Sequence, residues 1–116
     1  MDKVQKYGLW ALKILAAFAF LGAGSMKLTG NADMVAVFDA IGLGQWFRYV
    51  TGLIEVGSAI LLFVPGLQLI GAGLLAVTMV GAIIAHLAII GPTAVPAFVL
   101  LVIVSIIAYA HRPAAR

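Results

Sequence analysis

Glu55 lies in a largely apolar run, residues 50–64. An ionised carboxylate in such a setting loses its water and needs a counter-charge, a hydrogen-bond donor or a proton. Two other ionisable side chains, Lys27 and His86, interrupt or edge neighbouring apolar segments. Together a carboxylate, an ammonium and an imidazole can hold a proton, balance its charge and hydrogen-bond the carbonyl or hydroxyl of a ligand. At helical spacings of three and four, Glu55 has Thr51, Gly52, Ser58 and Ala59 as neighbours. This polar and small stripe belongs inside a helical assembly or against a cavity, not against lipid. Arg48, seven residues before Glu55, can reach the same place from above. With Trp46 nearby, the candidate ligand-binding residues are Lys27, Glu55, His86, Thr51, Trp46 and Arg48.

Each member has a plainer reading that stays open. Lys27 can be an interfacial anchor, Glu55 a structural ion-pair partner of Lys27 or Arg48, and His86 a hydrogen-bonded interfacial histidine. Lys13 reads as a snorkelling lysine. Other chemistries are excluded more firmly. The absence of cysteine removes disulfides, thiol redox chemistry and thiolate metal sites. One histidine and one carboxylate do not make a zinc or iron site. No Ser/His/Asp constellation has recognisable spacing, so no catalytic residue is assigned. Gly-x-Gly recurs at Gly22, Gly42 and Gly71 but never after a strand, which argues against dinucleotide binding.

The elements that must position these residues are helices in a membrane. The chain is 65% hydrophobic and 9% charged, and residues 66–110 carry no Asp, Glu, Lys or Arg. A water-soluble fold of that composition would have nothing polar to face solvent with. A length of 116 residues allows a single domain, 1–116. Spans are expected at about 7–28, 46–64, 67–90 and 93–110, with turns at Pro65-Gly66 and Gly91-Pro92. Pro96 falls in the first turn of the last span, where a missing N–H costs little.

Between the first two spans, Asn31 can cap a helix that Gly42 or Gly44 ends. Met34, Val37, Phe38 and Ile41 follow helical spacing, which predicts a short amphipathic interfacial helix; a loop tucking them inward is the alternative. The expected architecture is an all-α integral membrane four-helix bundle with short connections. Small pairs at Ala19/Ala23 and Gly81/Ala85, with Gly71 and Gly73, offer close helix contacts.

The net charge of +3 is an orientation signal rather than a nucleic-acid one. Lys3, Lys6, Arg112 and Arg116 lie on the terminal side, whereas Lys27 and Arg48 are balanced by Asp33 and Asp39 on the other. Both termini are therefore expected in the cytoplasm. A cleaved leader ending near residues 22–25 is the less favoured reading, because the stretch is long enough to span. With alternating chain direction, Lys27, Glu55 and His86 fall at one depth in the outer half of the bilayer.

The residues Gly24-Ser25-Met26-Lys27-Leu28, Trp46-Phe47 and the stretch from Thr51 to Leu62 resemble the DoxX-like family of small four-span bacterial membrane proteins. The stretch from Met79 to Leu87 and the basic tail at Arg112 continue the match. The family takes its name from a subunit of a terminal quinol oxidase and thiosulfate:quinone oxidoreductase system. The resemblance implies four helices, a polar site of Lys27, Glu55 and His86, and a loose link to membrane redox processes. It makes a quinone the candidate cofactor, and a membrane redox subunit or a second copy of the chain (as a homo-oligomer) the candidate partner, beside the lipid bilayer.

Two functions from different classes follow. One is a quinone- or small-molecule-binding accessory protein, in which Glu55 holds a proton and Lys27 balances it. The other is a structural or assembly subunit whose polar cluster orders the bundle. A proton-coupled carrier is a weaker third, since four short spans without a repeat give little for alternating access.

Overall fold

A computed structural model describes residues 2–90 and 94–113. It is all-α, and no strand occurs among the described residues. The elements are α1 (Lys3–Thr29), α2 (Ala32–Ile41), α3 (Gln45–Leu61), α4 (Gln68–Ala85) and α5 (Val95–Ala110). α4 runs straight into a π-helical turn, His86–Ile90. The expected turn at Gly91-Pro92, the start of the last span at Thr93, and Arg116 lie outside the described residues.

Local chemistry sets most boundaries. α1 begins four residues before the expected span because Asp2 and Gln5 form a capping box, each side chain accepting from the other's backbone N–H. It ends at Gly30, whose φ of 76° needs the left-handed region. α2 is a helix as expected: the Asn31 side chain accepts from the Asp33 N–H at 3.0 Å, and Gly42 at φ 83° stops it. α3 ends three residues earlier than expected. The chain tightens there into three-residue turns, Phe63 N–H to Ile60 C=O and Val64 N–H to Leu61 C=O, before Gly66. Pro96 sits in the first turn of α5.

The four longer helices pack in a closed cycle, α1 on α3, α3 on α4, α4 on α5 and α5 back on α1. Their shared core is Ala16 and Phe20 of α1, Ala59 of α3 with Leu62 beyond it, Ala72 and Leu75 of α4, and Val104 and Ile107 of α5. α1 and the stretch Gln68–Ile89 are each long and apolar enough to cross a membrane. Outside the core, large apolar side chains point outward, Phe18 at 82% exposure among them.

Contacts fix chain direction. Trp10 stacks on Phe63 at 5.7 Å while Lys27 meets Glu55, so α1 and α3 are antiparallel. Lys13 meets His111, which brings the first turns of α1 and the end of α5 to the end that holds the α3–α4 turn. At the other end α2 packs on α3, on the π-helical turn and on α1.

Candidate functional site

Two glycines allow the site to form. A Cβ on Gly24 would lie 2.6 Å from Val56 Cγ2 and 2.9 Å from the Gly52 carbonyl. One on Gly52 would lie 3.0 Å from the Gly24 carbonyl and 3.1 Å from Lys27 Cβ. The backbones of α1 and α3 therefore touch at this crossing, one helical turn from Lys27 and Glu55. Lys27 Nζ lies 2.6 Å from Glu55 Oε1 as a result. Glu55 is 1% exposed, and apart from this ion pair Oε1 has no hydrogen-bond partner. A buried carboxylate so placed depends on its counter-charge.

The pair lines a cavity of about 520 Å³ between α1, α2, α3, α4 and the π-helical turn. Its walls are apolar, with Met34, Val37, Phe38 and Ile41 of α2 forming one side. The polar lining consists of Lys27, Thr51, Glu55, Thr78 and His86. Thr51 donates to the Phe47 carbonyl at 2.8 Å and Thr78 to the Leu74 carbonyl at 2.8 Å, each within its own helix. His86 Nδ1 lies 2.8 Å from the Ala82 carbonyl. A carbonyl only accepts, so Nδ1 carries a proton, which leaves Nε2 to face a ligand.

Four of the six candidate residues, Lys27, Glu55, Thr51 and His86, thus line one cavity, while Trp46 and Arg48 do not. Trp46 is 61% exposed, and its indole donates to the Leu43 carbonyl. Arg48 is buried and turned the other way: it donates to the Lys27 carbonyl and, at 2.7 Å, to Gln45 Oε1, and it stacks on Tyr49. Gln45 Nε2 in turn donates to the Val35 carbonyl and to Asp39 of α2. A polar chain therefore ties the end of α1 to α2 through Arg48 and Gln45. Gln45 carried no signal beyond its position at a helix start. Thr78 was readable, since it lies eight residues before His86 on the same helical face.

Lys13 departs from the snorkelling expectation. Its ammonium points toward the terminal end, yet the residue is only 4% exposed. It lies 3.3 Å from His111 Nε2 and 4.5 Å from the Trp10 ring centroid, which replace the water it would otherwise seek. Burial, then the Lys13 charge, pushes the His111 imidazole below its ordinary value. The glycine contacts also differ in detail. Gly71 abuts Ser58 and Leu61 of the α3 end, whereas Gly73 and Gly81 face open space.

Residues 11–108 match the model of the DoxX-like family, a stretch that contains every residue of the cavity wall. The chain belongs to that family. This DoxX-like chain is also similar to a Bacillus subtilis (strain 168) protein named "Putative oxidoreductase CatD", with 31% identity over 85 residues. That match covers 72% of the present chain and 63% of the relative, so it spans somewhat less than two thirds of the relative's length. No solved structure matches the DoxX-like chain at a significant level. His111, the partner of Lys13, lies outside the region matched to the family.

Proposed function

We propose that this DoxX-like chain is a single domain crossing the bacterial cytoplasmic membrane four times as a four-helix bundle, both termini inside. We further propose that its cavity binds a small apolar molecule with a polar head, as an accessory subunit in a membrane redox process. The outward apolar faces of the helices support the membrane reading. α3 with its following turns, residues 45–64, reaches about 30 Å at about 1.5 Å per residue, the thickness of a hydrocarbon core of about 30 Å. Lys3, Lys6, Lys13 and Arg112 gather at the terminal end, which favours a cytoplasmic placement of that end.

The observation that carries the binding reading is a buried ion pair on the wall of a cavity of about 520 Å³ that is otherwise apolar. Small-molecule sites have this form: apolar walls, few convergent polar groups, and a volume of roughly 300–1,000 Å³. A quinone fits the description, its ring head at Glu55, Lys27 and His86 and its tail along Met34, Val37 and Ile41. Glu55 holds charge or a proton there, Lys27 balances it, and His86 hydrogen-bonds the head. The name of the Bacillus relative is consistent with a redox setting. The test is organic extraction of the purified protein, wild type and Glu55→Gln, followed by mass spectrometry. A stoichiometric apolar ligand in the wild type that is depleted in the variant supports the reading. No ligand in either sample, with unchanged stability, refutes it.

A second reading has its own support. The Arg48 contact with the Lys27 carbonyl and the ion pair beside the Gly24/Gly52 crossing would together serve a structural or assembly subunit. That reading expects Glu55→Gln to lose folding or partner assembly, seen by crosslinking in intact membranes, with no ligand in the wild type.

A further inference from the structure

α3 and α4 touch closely near the turn that joins them and then part. A Cβ on Gly71 would lie 2.7 Å from the Ser58 carbonyl oxygen and 2.8 Å from Leu61 Cβ. By helical spacing, the α4 face that carries Gly71 continues through Thr78, Ala82 and Ala85. The α3 face that carries Ser58 continues through Glu55 and Thr51. All of these continuing residues line the cavity. The cavity is therefore the wedge that opens as the two helices diverge from the Gly71 crossing. α1 closes its back at Lys27. α2 roofs it, tied to α3 by Gln45, whose Nε2 donates to the Val35 carbonyl and to Asp39. On the remaining side the lining residues are exposed: Val50 and Ile54 of α3, and Val77, Gly81 and Ile84 of α4. Val77 is 72% and Ile84 59% exposed, although both belong to the wall of the cavity that holds buried Glu55.

We infer that the cavity opens sideways between α3 and α4, that its ligand enters from the hydrocarbon of the bilayer rather than from water, and that Gly81 sets the width of the entrance. The inference rests on the reading of the chain as membrane-spanning and of the cavity as a ligand site, and it names the phase that supplies the ligand. The side chains of this rim are aliphatic, so a polar solute would lose its hydration there before it reached Lys27 and Glu55. An apolar molecule already dissolved among lipid chains gives up nothing on the same path. Gly81 stands at the middle of the α4 edge, between Val77 and Ile84, which lie about 10 Å apart along the helix at about 1.5 Å per residue. A Cβ there would meet nothing within 4 Å, so a larger side chain would take up the open space of the entrance without disturbing a packed contact.

The test places the full chain in phosphatidylcholine vesicles doped with a phosphatidylcholine that carries a diazirine at the end of one acyl chain. After photolysis the labelled residues are mapped by mass spectrometry. The lipid stays anchored in the bilayer, so its chain reaches buried Glu55 only by threading a side opening. The expected result is labelling of Glu55 and Thr51 in the wild type that falls about tenfold in Gly81→Trp, an effect of about 1.4 kcal/mol. Labelling of outward Phe18 should not change, which reports an intact fold. Gly81→Leu should give an intermediate loss. Gly73→Trp, on the same helix with equally open space beside its Cβ but outside the cavity lining, should have no effect. Cavity labelling that Gly81→Trp leaves unchanged overturns the inference while the ligand site stands; a loss in Leu43→Trp instead would put the entrance at the end of α2. Absence of cavity labelling in every species also overturns it, and the ligand site is then decided by the extraction of the purified protein alone.

Discussion

Lys27 and Glu55 form the ion pair on which the cavity wall depends, and breaking it from either side has a definite consequence. Glu55→Gln leaves a buried ammonium with no counter-charge, a change that costs about 3 kcal/mol in comparable buried pairs. Replacing both residues, as Lys27→Met with Glu55→Leu, removes the uncompensated charge and should recover most of that loss. Thermal unfolding of the wild type, Lys27→Met, Glu55→Leu and the double variant in one detergent measures the coupling. His111 makes a second prediction at this scale. Its imidazole is held below the ordinary value near 6.5, so on acidification the unfolded chain takes up a proton before the folded one does. Stability should therefore fall as pH drops below about 6.5, and His111→Gln should flatten the melting temperature between pH 7 and 5. A dependence unchanged by that substitution would show that His111 does not govern it.

At the scale of elements, the crossing of α1 and α3 is the joint that sets the site. Gly24→Ala would drive a methyl to 2.6 Å from Val56 Cγ2 and 2.9 Å from the Gly52 carbonyl, so the helices must separate. The expected cost is about 1–3 kcal/mol, typical of overpacking, with loss of the Lys27–Glu55 contact. Gly81→Ala, where a Cβ meets nothing within 4 Å, should be neutral or stabilising by at most about 1 kcal/mol. Much of this level was legible in the sequence. Asn31 and Gly42 announced α2, Pro96 the start of α5, and the stripe through Thr51, Gly52, Ser58 and Ala59 the inward face of α3. The π-helical turn at His86 was not, because it adds one residue to a helical turn without any proline or glycine to mark it. The inward turn of Arg48 was also hidden, since spacing along one helix does not reveal that the end of another presents a carbonyl to it. Lys13 was misjudged for the same reason: its partner is 98 residues away in sequence.

For the whole molecule, the distribution of charge carries the orientation. The absence of cysteine gives a clean reporter background. A single cysteine at Lys3 should resist a membrane-impermeant maleimide in intact cells and react after permeabilisation, whereas one at Asp33 should react in both. The reverse pattern would invert the proposed topology. Helical content and approximate spans follow from composition, because long uncharged runs admit few alternatives. The cavity does not, since its volume depends on how α2 and the π-helical turn seat against α3 and α4. The central claim is that this cavity is a ligand site, and photo-crosslinking with a radiolabelled azidoquinone tests it most directly. Saturable labelling that maps to residues 77–89 or 47–55, competed by unlabelled quinone and weakened by Glu55→Gln, is the predicted result. Non-saturable labelling spread over outward residues such as Phe18 and Phe98, unchanged by that substitution, would contradict it.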